Sequence, residues 1–174
     1  MTAAVEIRPE RSGDFEAIGQ VIDSAFLGMP YAAGDEAELV EVLRSQNALS
    51  VSLVAERDGK IIGQAAFSPA RDEAGAPGWF ALGPVAVLPA DQGRGIGSAL
   101  IRAGLQEILE RGARGCILTG NPAYYTRFGF VLSGEHAPPS EPAEFFMVKL
   151  LGGSLPAGPI HFHRAFSGAQ QTES

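Results

Sequence analysis

The chain holds 174 residues, 45% of them hydrophobic, which suits one domain able to bury its core without disulfides. Its formal net charge of -7 at pH 7 excludes general nucleic-acid binding, which needs clustered Lys and Arg against phosphates. The one cysteine, Cys116, excludes an intrachain disulfide and fits a reducing, cytoplasmic compartment. The first residues lack the apolar run of a signal peptide, and no apolar stretch reaches the roughly 18–20 residues of a membrane span.

Residues 5–8 predict a short first strand. Residues 9–14 are turn-like, with Ser12 or Asp14 available to cap a helix. From there Phe15, Ile18, Val21, Ile22, Ala25 and Phe26 recur at helical spacing, and Gly28-Met29-Pro30 ends the run. Gly34-Asp35 opens a second helix with Leu39, Val40 and Leu43 on its apolar side. Asp35, Glu36, Glu38 and Glu41 near its start complement the helix dipole; an acidic lip for an amine is the other reading. Residues 51–57 and 60–67 flank Asp58-Gly59, a dipeptide that supplies the positive φ angles of a tight hairpin. Residues 71–78 form a Gly/Pro/acidic loop. Residues 79–88 form a long strand with little polar alternation, as burial on both faces requires.

A glycine-rich turn then leads into a helix whose buried stripe is Ile96, Leu100, Ile101, Leu105, Ile108 and Leu109. Residues 116–119 make another buried strand, 122–128 a short helix or turn, and 145–151 and 160–166 two late strands. The order β-α-α-β-β-β-α-β-α-β-β neither alternates strictly nor segregates its elements. It predicts an α/β fold with a mixed, mostly antiparallel sheet and helices on both faces. One domain spans residues 1–166, with a polar tail at 167–174.

The most informative segment joins the strand through Val85-Ala86-Val87 to Gln92-Gly93-Arg94-Gly95-Ile96-Gly97-Ser98. The first N–H groups of a helix have no intrahelical partner and carry the positive end of its dipole. Glycines remove the side chains that would keep an anion from those donors, so the segment reads as a phosphate or pyrophosphate site. A tight turn in which glycines serve only sterics is the bland alternative. A P-loop is excluded, because the Gly-Lys-Ser/Thr ending is missing. A dinucleotide fingerprint fits poorly: Gly93, Gly95 and Gly97 are evenly spaced, and the next strand ends in Gly120-Asn121 without an acidic residue for a ribose.

Gln92-Gly93-Arg94-Gly95-Ile96-Gly97 resembles the Gln/Arg-x-x-Gly-x-Gly/Ala signature of the GNAT acetyltransferases. Downstream, Asn121-Pro122-Ala123-Tyr124-Tyr125-Thr126-Arg127-Phe128-Gly129-Phe130 resembles the second signature of that superfamily, and the set is most similar to its YhbS type. The resemblance implies splayed central parallel strands, with the pantetheine arm of acetyl-coenzyme A in the gap, bonded to the backbone of Val85 and Val87 as an extra strand would be. It implies that the backbone from Gly93 to Gly97, with Gln92, Ile96, Arg94 and Ser98, takes the pyrophosphate, and that Asn121 and Tyr125 face the same cleft. Arg94 as a solvated side chain and Asn121 as a turn cap are the plainer readings. Acetyl-coenzyme A is then a cosubstrate, with no metal. The acceptor is a small-molecule, peptide or protein amine, and no nucleic acid or membrane takes part. Relatives of this kind are often dimers, so a homodimer is among the expectations.

Acetyl transfer to an amine requires a proton removed from the ammonium, an oxyanion stabilised and a proton supplied to the leaving sulfur. Tyr125, placed by its spacing to Gly129-Phe130, is the candidate acid; packing is the alternative for it and for Tyr124. The backbone N–H of Val85 is the candidate oxyanion donor. Cys116 on a buried strand is core and no nucleophile is needed. The strand at 79–87 carries no carboxylate, so the base is water or a loop residue such as Glu135 or Glu144. His161 and His163, two apart on an expected strand, share a face; two histidines make a weak zinc case, and His163 is a base only if that face lines the cleft. The missing strand carboxylate also keeps open a non-catalytic acyl-coenzyme A-binding sensor. Substrate specificity is expected in the loops at 28–35 and 136–144.

Overall fold

The computed structural model describes residues 4–30, 32 and 34–167. β1 (Glu6–Pro9), α1 (Phe15–Phe26), α2 (Glu36–Ser45), β2 (Val51–Arg57), β3 (Lys60–Asp72) and β4 (Trp79–Val87) come first. α3 (Ile96–Glu110), β5 (Gly115–Thr119), α4 (Pro122–Tyr125), β6 (Val131–Leu132), β7 (Phe146–Leu150) and β8 (Ile160–His161) follow. The strands lie in the order β1-β2-β3-β4-β5-β7-β6, with β8 pairing the last residues of β3. Among the described residues only β4 and β5 run parallel. The architecture is the mixed, mostly antiparallel α/β sheet expected, with helices on both faces.

Side-chain alternation along the strands divides the core. On one face Leu53, Ala55, Ala65, Phe67 and Leu82 pack under Ile96, Leu100, Ile101, Leu105 and Ile108 of α3. On the other, Val54, Ala66 and Ala86 meet Ile18, Val21 and Ile22 of α1 and Val40 of α2. Ala70, an even step along β3 from Ala66, belongs to a further cluster on that second face, with Trp79, Ala81, Ile117 and Phe146. Each large apolar side chain buried this way contributes about 1.5–3 kcal/mol, which holds α3 against one face and α1 and α2 against the other.

Local signals behave as their chemistry dictates. Asp58 and Gly59 take φ of 53° and 77°, the hairpin turn expected between β2 and β3. Asp14 precedes α1 but makes no side-chain cap to it. Its carboxylate instead accepts Arg8 Nη1 at 2.7 Å and the Arg11 N–H at 2.8 Å, because a buried guanidinium competes better for it than a helix N–H.

Three elements depart from the sequence expectation. β3 runs on to Asp72, since the turn is closed by the Asp72 carboxylate accepting from the Ala76 N–H at 3.2 Å and from Arg114 at 3.0 Å. The last strand is only Ile160–His161: His163 Nδ1 accepts the Ala165 N–H at 3.1 Å and turns the chain into a 3₁₀ segment, Arg164–Ser167. His161 and His163 therefore do not share a strand face. β6 is too short to show a period and exists through pairing with β7, Val131 against Val148. Of the expected tail, residues 168–174 lie outside the described residues.

Candidate active site

β4 and β5 pair only at Trp79, Phe80 and Ala81 against Gly115, Cys116 and Ile117. Past Ala81 they part. β5 continues beside β7, with Thr119 opposite Phe146, while β4 keeps β3 alone. A bulge sets the parting: Leu82 faces Phe67 and Val85 faces Ala65, so Gly83 and Pro84 together stand opposite Ala66. Gly83 takes φ 148°, a conformation that residues with side chains rarely adopt, and the Gly83–Pro84 bond is cis.

Main-chain groups in an antiparallel pair face the partner at alternate residues. The Leu88 N–H donates to the Ile62 carbonyl at 2.9 Å, and Ala86 stands opposite Gln64. Ala86 and Leu88 thus turn their main-chain groups toward β3, and Val85 and Val87 turn theirs toward the opening. Gln92 folds back on this edge, its Nε2 donating to the Val87 carbonyl at 3.0 Å.

Beyond β4 the buried Asp91 carboxylate takes Arg57 Nη1 at 2.8 Å and anchors the loop. The chain then passes through Gly93 (φ 79°) and Gly95 (φ 82°) into α3. The left-handed conformation costs an L side chain about 1–2 kcal/mol, a cost glycine avoids. The Gly95 carbonyl accepts the first helical bond, from the Ala99 N–H at 3.0 Å. No main-chain N–H from Gly93 to Ser98 donates to a protein acceptor among the described residues. A Cβ added at Gly93 or Gly95 would meet nothing within 4 Å, so the space before these donors is open. Unpaired donors, the dipole of a fifteen-residue helix and open space together make an anion cradle. Arg94 is exposed at its rim and Ser98 is half-buried in the first helical turn.

α4 builds the adjoining wall. Asn121 Oδ1 accepts the Ala123 N–H at 3.0 Å with Pro122 at the first helical position, so the cap uses the amide oxygen of Asn121. The Tyr124 hydroxyl stands over the first turn of α3: a Cβ on Gly97 would lie 3.4 Å from it. Tyr125 packs edge-on against Tyr124 and Phe130, with ring centroids 5.0 and 6.1 Å apart. Its ring lies across Gly120, where a Cβ would come 2.7 Å from Cε2. Sequence reasoning read Gly120 as a strand end; its role depends on a ring five residues on, which no local pattern announces.

A model described as an acetyltransferase (GNAT) domain matches residues 48–132, which include the splay, the cradle and α4. The chain is 36% identical over 113 residues to the uncharacterized N-acetyltransferase YhbS of Escherichia coli strain K12, covering 64% of this chain and 68% of that protein. It belongs to the GNAT acetyltransferase family. Among solved structures this GNAT chain is similar to YhbS from Escherichia coli in complex with CoA, with TM-score 0.86 and 30% identity over 96% of this chain and 94% of that one. It is also similar to a GNAT family acetyltransferase from Brucella melitensis in complex with acetyl-CoA, with TM-score 0.84 and 43% identity over 94% and 99%.

The remaining candidates of this GNAT chain sort by environment. Cys116 is fully buried and burial pushes its thiol up, which unsuits it to be a thiolate. His161 Nε2 lies 3.0 Å from Glu73 Oε1. The pKa of His163 is lowered by burial, then by Arg164 and Arg71. Among the described residues no group of His, Cys, Asp or Glu is placed to hold a metal ion, and no helix is long and apolar enough to cross a membrane. Glu135 and Glu144 are exposed. The loop that carries them instead brings in Glu141, half-buried, whose Oε1 accepts from Thr119 Oγ1 at 3.2 Å. Burial raises the Glu141 pKa, and the Thr119 hydroxyl opposes that rise. Sequence reasoning passed over Glu141 because nothing local ties residue 141 to residue 119.

Proposed function

We propose that this chain transfers the acetyl group of acetyl-coenzyme A to a primary amine by direct attack in a ternary complex. One observation carries the reading: unpaired N–H groups from Gly93 to Ser98 adjoin an edge of β4 at Val85 and Val87 that no strand covers. A diphosphate with an extended amide-bearing arm matches that sequence of donors and acceptors. The relatives solved with CoA or acetyl-CoA support the same reading.

When bound, acetyl-coenzyme A supplies an acyl group already activated as a thioester. The N–H groups from Gly93 to Gly97, that of Ile96 among them, preceded by Gln92 and joined by the Arg94 and Ser98 side chains, hold the pyrophosphate. Val85 and Val87 receive the pantetheine arm as an added strand. Asn121, with its oxygen committed to the cap, has its amide nitrogen available to the same arm. The Val85 N–H meets the thioester oxygen, and the Tyr125 hydroxyl delivers a proton to sulfur. No enzyme nucleophile is required. The acceptor is an amine, on a small molecule, a peptide or a protein.

Two measurements test this. Calorimetry with coenzyme A detects binding, and free thiol release from acetyl-coenzyme A with a panel of amines detects transfer. Tyr125→Phe is expected to keep coenzyme A affinity and lose on the order of 10²-fold in turnover. Absence of coenzyme A binding, or its location elsewhere in a crystal, would refute the reading. Binding without thiol release from any amine would support an acyl-coenzyme A sensor instead.

A further inference from the structure

We infer that Glu141 is the base that deprotonates the acceptor ammonium, working from the side of β5 opposite Tyr125. The inference deepens the proposed transfer and rests on it.

β4 carries no ionisable side chain between Trp79 and Val87. The other wall of the splay, where β5 ends, does hold a carboxylate. Along β5, Cys116 and Leu118 pack toward α3, and Ile117 toward the opposite face. Thr119 follows Ile117 by two residues and so shares its face. Glu141 bonds Thr119 on that face. Tyr125 packs into the cluster on the α3 face and lies across Gly120. The end of β5 thus separates a phenol on one side from a carboxylate on the other.

That division suits the chemistry, because nitrogen and sulfur occupy different positions around the reacting carbon and need opposite proton transfers. The ammonium gives one proton to the Glu141 carboxylate. The freed nitrogen lone pair forms the C–N bond, the C–S bond breaks with its electron pair on sulfur, and Tyr125 protonates that sulfur. The nitrogen's second proton leaves through water and restores the tyrosine. Glu141 releases its proton to solvent, so the sum is an ammonium and a thioester converted to an amide, a thiol and one proton.

The carboxylate is held for this task. The loop bearing it is buckled down by His136, which is buried. His136 Nε2 lies 3.0 Å from the Pro156 carbonyl, and Nδ1 lies 2.6 Å from the Ser133 hydroxyl. Burial makes Glu141 a stronger proton acceptor than a surface carboxylate, a direction that favours a base working near neutrality. The other titratable residues of its own loop are Glu135, His136 and Glu144. Burial and Thr119 alone account for its shift. Thr119 is a positioning residue, acting through Glu141.

The test uses the full-length protein and whichever amine of the panel releases thiol fastest. Glu141→Gln is expected to leave coenzyme A affinity intact and to lower kcat/KM on the order of 10²-fold at pH 7. The deficit should close as pH rises toward the amine's own pKa, where neutral amine is abundant and no base is needed. Thr119→Val should move the acid limb of the wild-type profile upward, since it removes a hydrogen bond to the ionised carboxylate. Independently of turnover, infrared difference titration of the free protein should show a carboxyl band titrating above the ordinary carboxylate range, absent in Glu141→Gln. Equal pH profiles for wild type and Glu141→Gln, or no such band, would overturn Glu141 as base while leaving the transfer itself intact. Thiol release by neither protein from any amine, with coenzyme A still bound, would overturn the transfer and the base together.

Discussion

Gly104→Ala tests whether α3 sits as close to the sheet as its cradle requires. Gly104 faces Phe67 of β3, and an added Cβ would overlap Phe67 Cε1 and stand 2.5 Å from Cζ. Carbon atoms pack at about 3.5–4.0 Å, so the helix must lift by roughly 1.5–2 Å. Phe67 has 0% of its surface exposed and has nowhere to turn. An overlap this deep sits at the upper end of the overpacking range, about 2–3 kcal/mol, and the better helix propensity of alanine returns about 1. A net loss of about 1–2 kcal/mol follows, which lowers the melting temperature of a protein this size by roughly 2–8 °C. The N–H groups from Gly93 to Ser98 ride on the displaced helix, so coenzyme A affinity should fall severalfold with it. Circular dichroism melting and calorimetry read the two effects. Phe67→Leu in the same chain should relieve both by making room. A Gly104→Ala protein that melts at or above the wild-type temperature and binds coenzyme A equally well would refute the close-packing argument.

Gly95→Ala forces a left-handed residue at the start of α3 and should destabilise by about 1–2 kcal/mol; thermal melting checks this, and Gly95→Asn should cost less because asparagine tolerates that conformation. Gly120→Ala presses on the Tyr125 ring and should lower turnover while calorimetry shows coenzyme A affinity retained. Asp14→Asn removes a carboxylate whose pKa is lowered chiefly by its hydrogen bond with Arg8. A charge-assisted bond of this kind is worth about 2 kcal/mol. Because the folded-state pKa is depressed, that stability is full above the ordinary carboxylate range and lost as pH falls through the folded value. Urea denaturation should therefore separate wild type from Asp14→Asn at pH 7 and bring them together in strong acid.

Much of this molecule is written locally. The period of α1, that of α3 as far as Ile108 (Leu109, expected in the α3 stripe, is exposed in the last turn of the helix), the Asp58-Gly59 hairpin and the buried run of β4 are short-range consequences of side-chain size and backbone preference, so sequence alone determined them. The same holds for the cradle, since alternating glycines between a strand and an amphipathic helix leave N–H groups unpaired wherever the chain goes. Tertiary structure decided what depends on distant partners. The parting of β4 from β5 comes from a bulge whose register is set against β3, and the turn at Asp72 is closed by Arg114. Asp14 serves Arg8 rather than its own helix because that guanidinium is buried beside it. Glu141 meets Thr119 only when β5 and β7 align, and Gly120 matters only because the Tyr125 ring folds back over it. These relations join residues by contact and burial, which depend on where the chain returns in space, and residue order carries no record of that return.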